Sequence, residues 1–234
     1  MSADALVADP VLVEQIVERA ATLRAHWREL TDREVRLVCV TKAHGPEVAA
    51  AALAAGLADL GENYAQELAA KAALFSLHPP AGPAPRWHFI GQLQRNKVRL
   101  VAPHAYWWHT VDRAALADEV ARRAPGASVF VQLDLAGTPG RGGCAPADAP
   151  ALVDHARAAG LDVVGLMGVA PPGTPEEARP GFRLLVEMAD DLGLPERSIG
   201  MSGDAAVAVE EGATVVRVGS ALVGPRPAVR PGPR

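Results

Sequence analysis

One lysine directly follows a short apolar run and is the residue in this chain best suited to covalent chemistry. Lys42 comes after the run from Leu37 to Thr41, and only three of the 23 basic Lys and Arg residues in the chain are lysines. An arginine stays protonated, whereas a lysine amine can lose its proton and attack a carbonyl carbon. Lys42 is therefore a candidate nucleophile, the alternative being a lysine that ends a strand and reaches into water.

Two later segments combine glycine and serine in a way that is typical of anion-binding loops. The first is Gly200-Met201-Ser202-Gly203, before a helical stretch, and the second is Gly219-Ser220, after an apolar run. Unpaired backbone N–H groups at a helix start attract anions, and serine hydroxyls add donors. Either serine alone would read as an ordinary helix cap. If the two loops are neighbours, they favour a phosphate site.

Two further polar residues lie beside apolar runs. Arg217 lies two residues before Gly219, where a charge that points inward needs a partner. That partner is either a structural carboxylate, such as Glu62 or Asp134, or an acceptor atom of a ligand. Asn63 directly follows Glu62 at the end of another apolar segment and is placed to hydrogen-bond a ligand.

Other chemically capable residues fit structural roles. His88 lies between Trp87 and Phe89, which is typical of a histidine in the core, and Lys71 lies in an alanine-rich helix, where we expect it on the surface. The two cysteines have no partners at metal-ligand spacing. The residues indicate no metal site.

Composition excludes several classes of protein. The formal net charge is −4 and aromatic residues make up 4% of the chain, which does not suit nucleic-acid binding. No stretch has the length and apolarity of a membrane span, and the first residues do not resemble a secretory signal. We expect a cytoplasmic, monomeric protein.

Apolar runs of strand length alternate with alanine-rich helical stretches along the chain. The predicted strands are 37–41, 59–62, 88–91, 107–111, 129–135, 163–169, 198–201 and 215–219. The predicted helices between them include 46–55, 65–77, 113–123, 147–159, 180–192 and 205–211. Such alternation predicts parallel βαβ units, and about eight of them favour a (β/α)₈ barrel. An open doubly wound sheet is the alternative, but no Gly-x-Gly-x-x-Gly follows the first strand.

The predicted organisation is one barrel domain over residues 1–224, with an extra N-terminal helix within residues 1–30. Residues 170–180 are rich in proline and glycine, which predicts a loop. Residues 225–234 are rich in proline and arginine, which predicts a disordered tail. In a barrel of this kind, ligands bind at the carboxyl ends of the strands, and phosphate commonly binds after the last two.

Seven segments of the chain, taken together, form a recognisable pattern: Val40-Thr41-Lys42, Gly61 to Glu67, Trp87 to Lys97, His109 to Arg113, Gly165 to Met167, Gly200 to Ser202 and Val216 to Ser220. In these segments the chain resembles the pyridoxal phosphate (PLP) homeostasis proteins, which are single-domain relatives of the alanine racemase barrel. The resemblance implies that Lys42 forms the internal aldimine with PLP. It also implies phosphate contacts from Ser202, Gly219 and Ser220, and an Arg217 that faces the pyridine nitrogen. Met201 and Asn63 complete the expected cofactor-binding set.

The segment after the lysine departs from the family. After the lysine the family usually has Thr-Lys-Pro or Thr-Gln-Pro, whereas Ala43-His44-Gly45 follows Lys42 here. Because Ala43 has no hydroxyl, a second hydrogen bond near the aldimine is not expected from this position.

Chemistry at the ring nitrogen limits what PLP could do here. Arginine does not readily give up a proton, so the ring nitrogen should remain an acceptor and the ring a weak electron sink. Transamination and decarboxylation are therefore disfavoured, whereas racemisation is not. A two-base racemase needs an acid or base on the face opposite Lys42, which in the racemase family comes from an additional domain.

We therefore expect a non-catalytic protein that holds PLP as a Schiff base and contributes to intracellular PLP homeostasis. PLP-dependent apo-enzymes are possible recipients. The alternatives are a weak amino-acid racemase and a Schiff-base aldolase or lyase on the same barrel.

Overall fold

The computed structural model describes residues 7–137 and 142–225, and it forms a closed barrel of eight parallel strands. The strands are β1 (Arg36–Val40), β2 (Asp59–Glu62), β3 (Arg86–Phe89), β4 (Ala105–Val111), β5 (Ser128–Leu133), β6 (Asp162–Gly168), β7 (Glu196–Ser198) and β8 (Val215–Val218). The helices are α1 (Pro10–Leu30), α2 (Pro46–Ala54), α3 (Ala65–Leu77), α4 (Val98–Val101), α5 (Ala114–Arg123), α6 (Ala149–Ala158), α7 (Pro175–Asp191), α8 (Ala205–Glu210) and α9 (Ser220–Val223). The predicted (β/α)₈ barrel is confirmed. Of the predicted tail, only residue 225 lies within the described residues.

Successive residues of each strand point alternately into the barrel and toward the helices. The larger core lies between the strands and the surrounding helices. A separate, smaller core fills the inside of the barrel and consists of Val38, Trp107, Phe130, Met167 and Val215. The barrel is therefore packed rather than hollow, and any polar side chain inside it must find its partner there.

The predicted N-terminal helix is present as α1, which begins at the Asp9 cap and buries Ile16, Ala20 and Trp27. Arg19 on this helix donates from Nη1 to the backbone carbonyl of Leu222 in α9, at 2.7 Å. The first helix thus holds the last one in place across the outside of the barrel.

Helix α7 begins earlier than the sequence predicted, so the predicted loop over 170–180 is wrong in its second half. Thr174 and Glu177 form a reciprocal capping box at its start. Pro180 lies inside the helix even though it lacks an N–H donor. The buried residues Phe182 and Leu185 on the same helix anchor it to the barrel, and this packing offsets the backbone hydrogen bond that Pro180 cannot donate.

The seventh strand also differs from its prediction, since β7 shares only Ser198 with the predicted segment 198–201. The chain leaves the sheet at Gly200, whose φ of +91° is left-handed. A Cβ atom there would lie 2.7 Å from the Cβ of Ala208, so the position requires glycine. This turn directs the chain from β7 into the loop that carries Ser202.

A buried ion pair supports the carboxyl end of β1, and it overturns the expectation that Lys71 lies on the surface. Lys71 Nζ donates to Glu62 Oε1 at 2.6 Å and to the carbonyl of Thr41 at 2.8 Å. Thr41 Oγ1 donates to the same Glu62 oxygen at 2.6 Å. Lys71 lies on the apolar face of α3, three residues after Leu68 and four before Phe75, both of which are buried.

Burial raises the pKa of the Glu62 carboxyl above its usual range, and the charge of Lys71 opposes that rise. Glu62 Oε2 has no hydrogen-bond partner among the described residues. The carboxylate therefore depends on Lys71 and Thr41 for its stabilisation.

In the parts of the chain that the structure describes, no helix is long and apolar enough to cross a membrane.

We predict that Gly200→Ala lowers the free energy of unfolding by about 2–3 kcal/mol, because it adds left-handed strain to a steric clash with Ala208. Gly203→Ala is the matched control, since a Cβ there meets nothing within 4 Å, and it should change stability by less than about 0.5 kcal/mol. Urea denaturation of both variants measures the difference. Equal stability of the two would contradict the steric argument.

We predict that Lys71→Met destabilises the fold by about 3–5 kcal/mol at pH 8, because it leaves a buried carboxylate unpaired. A buried acid whose folded-state pKa is raised costs stability as pH rises, so the loss should shrink toward pH 5. The double variant Glu62→Gln, Lys71→Met should recover part of the loss. Lys97→Met, at a partly exposed lysine, is the control, and a pH-independent loss would refute the assignment.

Candidate functional site

The predicted site residues lie at the carboxyl ends of four neighbouring strands, β7, β8, β1 and β2. Strand β1 pairs with β2 through Val40 and Gly61, and with β8 through Cys39 and Val218. If the pairing is extended past the ends of the strands, Asn63 lies beside Lys42 on the β2 side. The segment that begins at Gly219 lies beside Lys42 on the β8 side. Gly219 lies against Val40, since its ideal Cβ position is 3.5 Å from the Val40 carbonyl oxygen.

Lys42 is half-buried and lies in a tight turn after β1. The N–H of His44 donates to the carbonyl of Thr41 at 3.2 Å, which closes the turn. Ala43 has a φ of +60°, the only positive φ of a non-glycine residue in the described chain. Its N–H donates to Glu67 Oε2 of α3 at 2.9 Å. The backbone at Ala43 is thus held by α3, which fixes the direction in which Lys42 leaves the strand.

The two glycine–serine loops present backbone N–H groups that have no acceptor among the described residues. These groups belong to Ser202 and Gly203 after β7, and to Ser220 and Ala221 after β8. Both serine side chains are exposed. Four unpaired donors with two hydroxyls on adjacent loops form a surface that suits a phosphate.

Met201 has a more limited donor role in this arrangement. Its N–H donates to Asp204 Oδ1 at 2.6 Å, so this donor is already used within the loop. The Met201 side chain is 39% exposed and can contact a ligand only through its apolar atoms.

Asn63 carries an unsatisfied polar atom. Its Oδ1 is buried without a hydrogen-bond partner among the described residues. A buried acceptor without a partner lowers stability unless a ligand donates a hydrogen bond to it. Gly91, after β3, allows the chain to approach here, because a Cβ at this position would lie 2.0 Å from the Asn63 carbonyl oxygen. The side chain of Asn63 is thus positioned by a close contact between two backbone segments.

Arg217 is buried inside the barrel, and the structure excludes both of its expected structural carboxylate partners. Glu62 pairs with Lys71, and Asp134 accepts from the backbone of its own loop. Arg217 instead donates from Nη1 to the carbonyl of Ser198 at 2.7 Å and to Ser198 Oγ at 2.6 Å. Its Nη2 donates to the carbonyl of Gly168 at 3.0 Å. Burial lowers the pKa of the guanidinium to about 10, with the charge of Asp204 opposing this.

A line of buried polar side chains continues from Arg217 through the barrel, and sequence reasoning found only His88 of it, as a core residue. His109 Nδ1 lies 2.8 Å from Ser198 Oγ, and His109 Nε2 lies 2.9 Å from His88 Nδ1. His88 Nε2 lies 2.9 Å from Asp59 Oδ1. The alternation of β4 could have placed His109 inside the barrel with Trp107, but no local signal links it to Ser198, 89 residues away.

The residues present fit PLP. An amine for the aldehyde, unpaired donors for the phosphate, and an orphaned amide oxygen at Asn63 all lie at one end of the barrel. When bound, PLP supplies a reactive aldehyde and a conjugated ring that can accept electrons. Lys42 would hold the aldehyde, and the loops after β7 and β8 would hold the phosphate.

A cavity of about 600 Å³ opens at the opposite end of the barrel and does not belong to this site. Its walls include Arg36, Asp59 and Arg86, the first residues of β1, β2 and β3. PLP chemistry needs a lysine, and Lys42, Lys71 and Lys97 are all absent from this lining.

Comparison with known proteins supports the same assignment. The family model for the alanine racemase N-terminal domain matches residues 14–227. The pyridoxal phosphate homeostasis protein of Pseudomonas aeruginosa is 37% identical over 225 residues, covering 90% of this chain and 96% of that protein. The human protein of the same name is 34% identical over 237 residues, covering 92% of this chain and 84% of that protein.

A solved structure gives the corresponding similarity in three dimensions. The PLP-bound structure of PipY from Synechococcus elongatus PCC7942 is 35% identical, with a TM-score of 0.75, and the match covers 89% of this chain and all of that one. From the match over most of its length, the chain belongs to the pyridoxal phosphate homeostasis proteins within the alanine racemase N-terminal domain family.

Proposed function

We propose that this protein binds PLP without catalysis and contributes to PLP homeostasis, holding the cofactor as a Schiff base on Lys42. The observation that carries the proposal is the placement of Lys42 between Asn63 and the loop of Gly219 and Ser220. The loops after β7 and β8 offer unpaired N–H donors, and β8 pairs directly with the strand that precedes Lys42. These loops are therefore the proposed position of the phosphate when PLP is bound to Lys42. The relatives named for PLP homeostasis, and the PLP-bound PipY, support the proposal.

Each site residue has a distinct task in this proposal. Ser202, Gly219 and Ser220 bind the phosphate, and Asn63 completes its hydrogen bonds with a polar group of the ring. Arg217 presents an N–H to the ring nitrogen and keeps that nitrogen unprotonated, because a guanidinium donates and does not accept. Met201 contributes apolar contact at the rim of the site.

The burial or exposure of the histidines inside the barrel and of the two tyrosines supports a non-catalytic role. Racemisation requires one proton donor or acceptor on each face of the substrate. His88 and His109 are fully buried inside the barrel. Tyr106 packs against Trp107 and Arg86 at the amino end of the strands, away from Lys42. Tyr64, which is 55% exposed beside Asn63, is the remaining tyrosine and lacks the enclosure that acid–base catalysis needs.

Weak racemisation is the second candidate, because Tyr64 lies at the end of β2 that carries Asn63. A racemase would exchange the Cα proton of an amino acid at turnover rates, and Tyr64→Phe would slow that exchange. A carrier would show neither effect. An aldolase would turn over a carbonyl substrate and would bind no chromophore.

The proposed functional unit is a single barrel domain over residues 1–224, acting as a cytoplasmic monomer. PLP-dependent apo-enzymes are the proposed recipients of the cofactor. The half-buried Lys42 and the exposed Ser202 and Ser220 leave the site open enough for PLP to enter and leave.

We predict that Lys42→Ala abolishes the visible absorbance of bound PLP and its covalent attachment after borohydride reduction. Peptide mapping of the reduced wild-type protein should find the label on Lys42. Lys97→Ala is the control and should keep full absorbance. A label on Lys71 or Lys97 alone would overturn the assignment of Lys42.

We predict that Ser202→Ala and Ser220→Ala each weaken PLP binding about tenfold, because a hydrogen bond to a charged phosphate is lost. Binding of pyridoxal, which has no phosphate, should change little in the same variants. Fluorescence titration measures both ligands, with Ser76→Ala as the control, since that hydroxyl bonds only within its own helix. Equal losses for PLP and pyridoxal would place the phosphate elsewhere.

A further inference from the structure

The polar line inside the barrel has chemically different ends, and these ends give its hydrogen bonds a direction. Arg217 at one end has only N–H donors, and the ionised Asp59 at the other end has only acceptors. Burial opposes ionisation of Asp59, but hydrogen bonds from Arg86 and His88 hold the pKa of its carboxyl well below its usual range. Asp59 therefore accepts from His88 Nε2–H.

The hydrogen bonds of the three side chains between these ends, His88, His109 and Ser198, must then all run in the same direction. Burial lowers the pKa of both His88 and His109, so each ring is neutral and carries one N–H. With its proton on Nε2, His88 accepts at Nδ1 from His109 Nε2–H, over 2.9 Å. His109 in turn accepts at Nδ1 from the hydroxyl of Ser198, over 2.8 Å. Ser198 Oγ accepts from Arg217 Nη1, over 2.6 Å.

Aromatic packing holds the two rings in this arrangement. His109 stacks on Phe130 with a centroid distance of 4.3 Å and an interplanar angle of 15°. Trp107 meets His88 edge-on, with centroids 5.3 Å apart. Neither imidazole can turn over without displacing these neighbours, and all four side chains are at least 93% buried. The tautomers are thus fixed by the partners on each side.

We propose that Asp59, His88, His109 and Ser198 are positioning residues that fix the Arg217 guanidinium for the ring nitrogen of PLP. This inference rests on the proposed function. Arg217 donates one Nη1 hydrogen to Ser198 Oγ, the first acceptor of the polar line, and the other Nη1 hydrogen to the Ser198 carbonyl. One Nη2 hydrogen is donated to the Gly168 carbonyl. Three of the five guanidinium hydrogens are thereby held within the barrel, so the plane of the group is set before PLP arrives.

The acidic end of the line is anchored separately from the PLP site. Arg86 donates to Asp59 through Nε at 2.8 Å and through Nη2 at 2.6 Å, which forms a bidentate pair. Both residues line the cavity at the amino ends of the strands. Asp59 therefore fixes the direction of the hydrogen bonds from the end of the barrel that is farthest from Lys42.

Nitrogen-15 NMR of the histidine rings in the PLP-free protein at pH 7 tests the direction of the line. We expect neutral rings with the proton on Nε2 for both His88 and His109. We also expect the pattern to change in Asp59→Asn, whose amide can donate as well as accept. Wild-type rings with the proton on Nδ1, or a pattern unchanged in Asp59→Asn, would overturn the proposal.

PLP titration tests the effect on Arg217. Ser198→Ala should weaken PLP binding about tenfold and shift the absorbance maximum of the bound cofactor, while Ser198→Thr, which keeps the hydroxyl, should restore the wild-type maximum. Thr110→Val is the matched control, since it removes a buried hydroxyl on β4 outside the line. If Ser198→Ala and Thr110→Val change the PLP affinity and the absorbance maximum equally, the positioning role is wrong. If the wild-type protein takes up no PLP at Lys42, the proposed function fails instead, and the NMR result still stands by itself.

Discussion

The pairing of β8 with β1 is the constraint on which the candidate site depends. It closes the sheet and brings Gly219 against Val40, so residues about 180 positions apart become neighbours. Without closure, Lys42 would not have the unpaired N–H donors of the loop after β8 beside it. The same closure encloses Arg217, which then has to find its hydrogen-bond acceptors inside the barrel. A site of this kind is therefore a property of the complete ring of strands and not of any one motif.

The sequence predicted best those features that depend on local pattern. The alternation of apolar runs and alanine-rich stretches was enough for the barrel. Lys42 became a candidate because a lysine after an apolar run is unusual in an arginine-rich chain, and the distant glycine–serine segments then favoured it over a structural lysine. The capping box of Thr174 and Glu177 is a local signal as well, but the loop over 170–180 was predicted from its prolines and glycines alone. Lys71 was predicted on the surface from the alanine-rich helix around it, without its position between Leu68 and Phe75 on one helical face.

Features that depend on contacts between distant strands could not be predicted in the same way. For Arg217 the sequence left two kinds of partner open, a carboxylate or an acceptor atom of a ligand. Within the protein it bonds instead to a hydroxyl and two carbonyls. Its partners come from β6 and β7, and nothing near residue 217 indicates them. Asn63 illustrates the same limit, since its unsatisfied oxygen becomes visible only when the packing around it is known.

The contact between Arg19 and Leu222 has a consequence for biosynthesis. A ribosome makes α1 before the barrel strands, but the carbonyl that its arginine binds is made some two hundred residues later. The last strand of the ring likewise emerges after the other seven, so translation first delivers a nearly complete but open sheet with unpaired edges on β1 and β7. The nascent chain must remain soluble in that state until closure, a step with high contact order that is correspondingly slow.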